Sequence, residues 1–134
     1  MSKVAIVYWS QTGNTQAMAK ALAEAASADV FDVADFSADM VGAYDALAFG
    51  CPAMGSEELD PDFEEVWDAC VPRLGQRPVA LFGSYDWGCG EWMESWVSSA
   101  EDAGVNVVGS CIVHLEPEAD DLEELTELAG RLAG

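Results

Sequence analysis

The chain has 134 residues, 25 acidic against 5 basic side chains and a formal charge of −20. Its length fits one domain spanning 1–134, and 51% hydrophobic residues are enough to bury a core, which excludes a disordered tail or a disulfide-stapled mini-protein. The negative charge would repel phosphate groups, so it argues against nucleic acid and membrane surfaces as partners and favours basic protein surfaces.

In chain order, residues 3–8 form the first apolar run of strand length. The residues ahead of it provide no signal-sequence core or membrane span, so a cytoplasmic location is expected. A helical pattern covers 15–26, with Ala17, Met18, Ala21, Leu22 and Ala25 expected on one face. Residues 30–33 read as a strand, 37–42 as at most a short helix or turn, and 46–50 as the next strand. Asp60-Pro61 has the form of an N-cap followed by proline at the first helical position, and it opens a helix over 61–71. A strand at 79–83, a helix at 91–103, a strand at 107–113 and a helix at 121–132 complete the series. Trp92, Met93, Trp96 and Val97 have the spacing of core residues on their helix.

The strand runs lack strict alternation, as expected of parallel strands buried on both faces. Strands interleaved with helices give an open α/β sheet with helices on both sides. Ligands bind such sheets beyond the carboxyl ends of the strands, which singles out loops 9–14, 51–60, 84–90 and 114–118. The cysteines, Cys51, Cys70, Cys89 and Cys111, are scattered, with no CxxC and no histidine pair. They read as reduced free thiols, and no metal site is expected.

The first loop, Trp9-Ser10-Gln11-Thr12-Gly13-Asn14-Thr15, joins a buried strand to a helix start. Its hydroxyls, amide and helix N–H groups form an anion site of neutral donors, although the same residues are also ordinary capping residues. It lacks the Gly-Lys-Ser/Thr of a nucleoside-triphosphate loop and the GxGxxG of a dinucleotide loop, so a single terminal monophosphate fits best.

Three motifs resemble the flavodoxins, in particular the short-chain branch of clostridial-type anaerobes. They are Tyr8 through Thr15, then Gly50-Cys51-Pro52-Ala53-Met54-Gly55-Ser56-Glu57-Glu58-Leu59, then Phe82-Gly83-Ser84-Tyr85-Asp86-Trp87-Gly88-Cys89-Gly90-Glu91-Trp92-Met93. The resemblance implies a three-layer fold around a five-stranded parallel sheet of order 2-1-3-4-5, with non-covalently bound FMN. It places the phosphate in the first loop and the isoalloxazine ring between the second, from Pro52 and Ala53 to Glu57, and the third, from Ser84 and Tyr85 to Gly88. Trp87 would stack on one ring face and Met54 pack on the other. The Gly55 peptide would flip on reduction to accept the proton at flavin N5, and glycine permits both conformers. Glu57 would accept N3–H next to Ser56, with neighbouring Glu58 as a rival.

The function implied is a low-potential one-electron carrier. It would shuttle between semiquinone and hydroquinone in place of ferredoxin, as a monomer serving basic-surfaced redox proteins such as ferredoxin-type oxidoreductases. It would be an electron-transfer protein and not an enzyme. The alternative is a small FMN-dependent quinone or NAD(P)H oxidoreductase of the same fold. A response-regulator receiver is excluded, because the acidic pair, the aspartate and the lysine it requires are missing from the strand ends. Acidic runs around Glu57–Asp68 and Glu116–Glu127 serve solubility and add a field that steers basic partners. Two residues depart from the family pattern. Asp86 stands where glycine is common, as a residue expected to tolerate a left-handed backbone, and Cys89 takes a usually small or acidic position, with Cys51 at the start of the neighbouring loop.

Overall fold

The computed structural model describes residues 3–10, 13–53, 59–86 and 90–133. Strands β1 (Val4–Tyr8), β2 (Asp29–Asp32), β3 (Ala46–Gly50), β4 (Pro78–Tyr85) and β5 (Asn106–His114) form one parallel sheet of order β2-β1-β3-β4-β5. Helices α1 (Asn14–Ala26), α2 (Pro61–Leu74), α3 (Glu91–Asp102) and α4 (Ala119–Ala133) cover its faces.

Alternation along each strand divides the core in two. Ala5, Val7, Leu47, Phe49, Val79 and Leu81 face α2 and α3, where Phe63, Trp67, Trp92 and Trp96 fill the layer. Phe49–Trp67 and Trp67–Trp96 meet edge-on, with ring centroids 5.0 and 5.5 Å apart, a favoured aromatic arrangement. Val4, Ile6, Ala48, Ala80, Phe82 and Val113 face α1 and α4. The expected core placement of Trp92, Met93 and Trp96 holds, and Val97 packs against that core.

The two-sided burial read from the runs holds for β1 and β3, which are buried throughout. It fails for both edge strands: β5 exposes Asn106, Ser110 and His114, and β2 exposes Asp29, Val30 and Asp32. That strand ends one residue before Val33, because the Asp32 carboxylate accepts from Ala34 N at 3.0 Å and starts a 3-10 turn. The weak stretch at 37–42 is a second 3-10 turn, Ala38–Ala43. On α1 the buried stripe is Thr15, Met18, Ala19, Leu22 and Ala26, while Ala17 and Ala25 are exposed. In a run rich in alanine only Met18 and Leu22 set the face, and the alanines on either side of it are nearly equivalent in hydrophobicity.

Helix α2 starts as expected, with Asp60 Oδ2 accepting from Phe63 N at 3.0 Å, but it runs past Val71 to Leu74. Pro72 is exposed, and burial of Cys70 and Leu74 on the opposite side offsets its missing N–H. Arg77 Nη1 then donates to the carbonyls of Arg73 (3.2 Å) and Leu74 (3.1 Å), closing the helix end. At the far edge of the sheet, β5 has nine residues with no aspartate, glutamate, lysine or arginine among them, and Arg131 of α4 reaches Val108 O at 3.5 Å. No helix among the described residues is long and apolar enough to cross a membrane, and no side-chain cluster among them could hold a metal.

Candidate functional site

The carboxyl ends of β1, β3, β4 and β5 lie side by side, and the chain stays bonded to a neighbouring strand as it leaves three of them. Trp9 N donates to Gly50 O at 3.0 Å, Ala53 N to Ser84 O at 3.0 Å and Leu115 N to Tyr85 O at 2.8 Å. The loops therefore begin from backbone fixed by the sheet.

In the first loop, half-buried Ser10 accepts at Oγ from Gly13 N (3.0 Å) and Gln16 N (3.4 Å), so its hydroxyl caps α1. Gly13, the N-cap, has φ +96 with open space where a Cβ would be, so a left-handed backbone rather than crowding calls for glycine there. The N–H groups of Asn14 and Thr15 have no partner among the described residues. The first turn of α1 carries no acid, whereas α2, α3 and α4 each carry two. The positive end of this helix dipole is left unneutralised on a chain of charge −20, which suits an anion. Gln11 and Thr12 lie outside the described residues.

Thr15 and Ser84, both in loops that the sequence assigns to a ligand, have hydroxyls turned to each other. Their hydroxyls are 2.8 Å apart, Ser84 N donates to Thr15 Oγ1 at 3.4 Å, and both residues are buried. This pair ties the start of α1 to the end of β4 across the sheet.

The second loop leaves β3 at Cys51. Its carbonyl accepts from Trp92 Nε1 at 3.2 Å and its sulfur from Asp60 N at 3.4 Å, so the loop begins and ends at one point. Gly83 makes the approach possible, because a Cβ there would meet Cys51 O. Burial pushes the Cys51 thiol up to about 12, which keeps it protonated and inert. Pro52 and Ala53 are half-buried beside Ser84, while Met54, Gly55, Ser56 and Glu57 lie outside the described residues, as does Cys89.

The third loop begins with half-buried Tyr85 and exposed Asp86; Trp87 and Gly88 lie outside the described residues. The tolerance of aspartate for a left-handed backbone is not called on at Asp86, which has no positive φ. The left-handed residue here is Leu115 (φ +62), whose N–H holds the Tyr85 carbonyl. His114 lies against the Tyr85 ring with centroids 5.1 Å apart, and its Nε2 is 2.9 Å from Asp86 O. No local motif assigns a role to His114, the only histidine of the sequence, at the end of the last strand.

The flavodoxin family profile matches residues 6–129. The flavodoxin of Megasphaera elsdenii is 47% identical over 96% of this chain and 98% of its own length, and that of Clostridium beijerinckii is 35% identical over 89% and 90%. The solution structure of the two-electron reduced M. elsdenii flavodoxin superposes with a TM-score of 0.86, at 42% identity over 96% of this chain and 98% of that one. The chain belongs to the flavodoxin family. Members of this family carry electrons on bound FMN, and this flavodoxin fits the cofactor at its phosphate end. Ser10, Gly13, Asn14 and Thr15 bring no carboxylate, and the N–H groups of Asn14 and Thr15, without a partner among the described residues, suit the one part of FMN that is strongly anionic.

Proposed function

We propose that this flavodoxin is a low-potential carrier of single electrons, standing in for ferredoxin between oxidoreductases with basic docking surfaces. The unneutralised start of α1 supports this reading most directly. It is a monophosphate site in an acidic molecule, next to loops with backbone held by the sheet. FMN supplies the redox chemistry when bound, and the chain's part is to hold, cover and tune it.

In this reading the loop from Trp9 to Thr15 receives the phosphate, Met54 and Trp87 cover the ring, and Glu57 accepts from its N3–H. The Gly55 carbonyl holds the proton at N5, and the segment from Ser84 to Gly88 lines the N1/O2 edge. The acidic surface steers basic partners, with an on-rate that falls as salt is added.

Stepwise dithionite reduction of the FMN-loaded chain, followed in the visible spectrum, tests the carrier. Two separated one-electron steps and no bleaching by NADH or NADPH are expected. Bleaching by a nicotinamide alone would replace the carrier with an oxidoreductase.

A further inference from the structure

We propose that His114 is a positioning residue for the flavin: it locks the start of the loop that leaves β4 to the end of β5. This rests on the assignment of that loop to the flavin ring.

A carbonyl oxygen carries no proton, so the 2.9 Å contact between His114 Nε2 and Asp86 O requires the proton to be on Nε2. The imidazole donates to Asp86 and lies on the Tyr85 ring at an interplanar angle of 51°. The same ring meets Trp92 of α3 at a centroid distance of 5.7 Å, so the tyrosine is held by side chains from two elements. Leu115 completes the grip, with its N–H 2.8 Å from Tyr85 O and its backbone in the left-handed region that leucine ordinarily avoids.

Asp86 forms no other hydrogen bond among the described residues. Without His114 the loop would leave the sheet one residue earlier, at Tyr85. The backbone of Asp86, at a position where the family resemblance leads one to expect glycine, would then be free to move.

Two variants separate the donor from the ring. His114→Phe keeps an aromatic ring against Tyr85 and removes the donor, whereas His114→Gln keeps an N–H and removes the ring. FMN and riboflavin are titrated into each full-length chain, urea unfolding is measured alongside, and imidazole 15N shifts are read on the wild type. His114→Phe is expected to weaken both flavins by the same factor, about threefold to tenfold for one hydrogen bond. His114→Gln should recover most of that loss, and the neutral wild-type ring should carry its proton on Nε2. The proposal is overturned if His114→Phe binds both flavins as the wild type does, or loses only FMN, which would place the effect at the phosphate. It is also overturned if His114→Gln is no better than His114→Phe, if the loss follows a lowered urea midpoint, or if the proton is on Nδ1. A wild-type chain that bound neither flavin would refute the FMN reading, and the tautomer would still decide whether His114 holds Asp86.

Discussion

Thr15→Val deletes one hydroxyl and leaves the shape of the side chain. In the folded protein that hydroxyl is 2.8 Å from Ser84 Oγ and accepts from Ser84 N, with Thr15 1% and Ser84 4% exposed. Water cannot replace it there. A buried polar group left without its partner costs about 1–3 kcal/mol, so a loss of about 2 kcal/mol is expected. With an unfolding entropy of about 2.1 cal/mol/K per residue, 134 residues give about 0.28 kcal/mol/K, and Tm should fall by about 7 °C. Thermal unfolding of the apoprotein measures this directly. A cycle with Ser84→Ala isolates the pair, and the double variant should lose about 1 kcal/mol less than the sum of the singles. Additive singles, or a Tm unchanged in Thr15→Val, would refute mutual pairing. A fall in FMN affinity at unchanged apoprotein stability would show the Thr15 hydroxyl acting on the phosphate rather than on Ser84.

Gly55→Thr should penalise a flipped peptide by about 1–2 kcal/mol, lowering the maximal fraction of one-electron-reduced flavin in a dithionite titration; an unchanged fraction removes the flip. Asp86→Asn should raise the second reduction potential by on the order of tens of millivolts, with less effect on the first and less at high salt. Potentials that stay put in the variant would leave Asp86 as one more surface charge. Alkaline pH should weaken the fold. Burial pushes Cys51 and Cys111 up to about 12 and Cys70 up to about 11 from an ordinary 9.0. The folded state therefore holds these protons more tightly, and stability present below pH 9 is lost as pH rises toward 11–12. Each thiol contributes a slope of up to about 1.4 kcal/mol per pH unit. A urea midpoint that stays flat between pH 8.5 and 11 would contradict this.

The strands and helices were legible in the sequence because runs such as 46–50 and the Asp60-Pro61 cap state their structure locally. Errors arose where a distant contact decides the outcome. Leu74 carries α2 past Pro72 only because a sheet lies beneath it, and the face of α1 is chosen by Met18 and Leu22 against neighbours far along the chain. The site shows the same division. Residue types in the first loop announced an anion, but the pairing of Thr15 with Ser84, 69 positions apart, has no local signature. His114 was missed for the same reason, since a single histidine acquires a role only once β4 and β5 are adjacent.

The two rims of the sheet are protected unequally. β2 is four residues long and exposes Asp29 and Asp32, a poor template for another chain. β5 is nine residues long and holds no aspartate, glutamate, lysine or arginine, with Arg131 leaning across one carbonyl while its Nη2 pairs with Glu127 at 3.1 Å. What keeps one molecule's β5 from annealing to another's is therefore mainly the mutual repulsion of two bodies of charge −20. That protection is colloidal rather than steric. It weakens in concentrated salt or near the isoelectric point, so precipitation under those conditions should begin by pairing along β5 and leave β2 untouched.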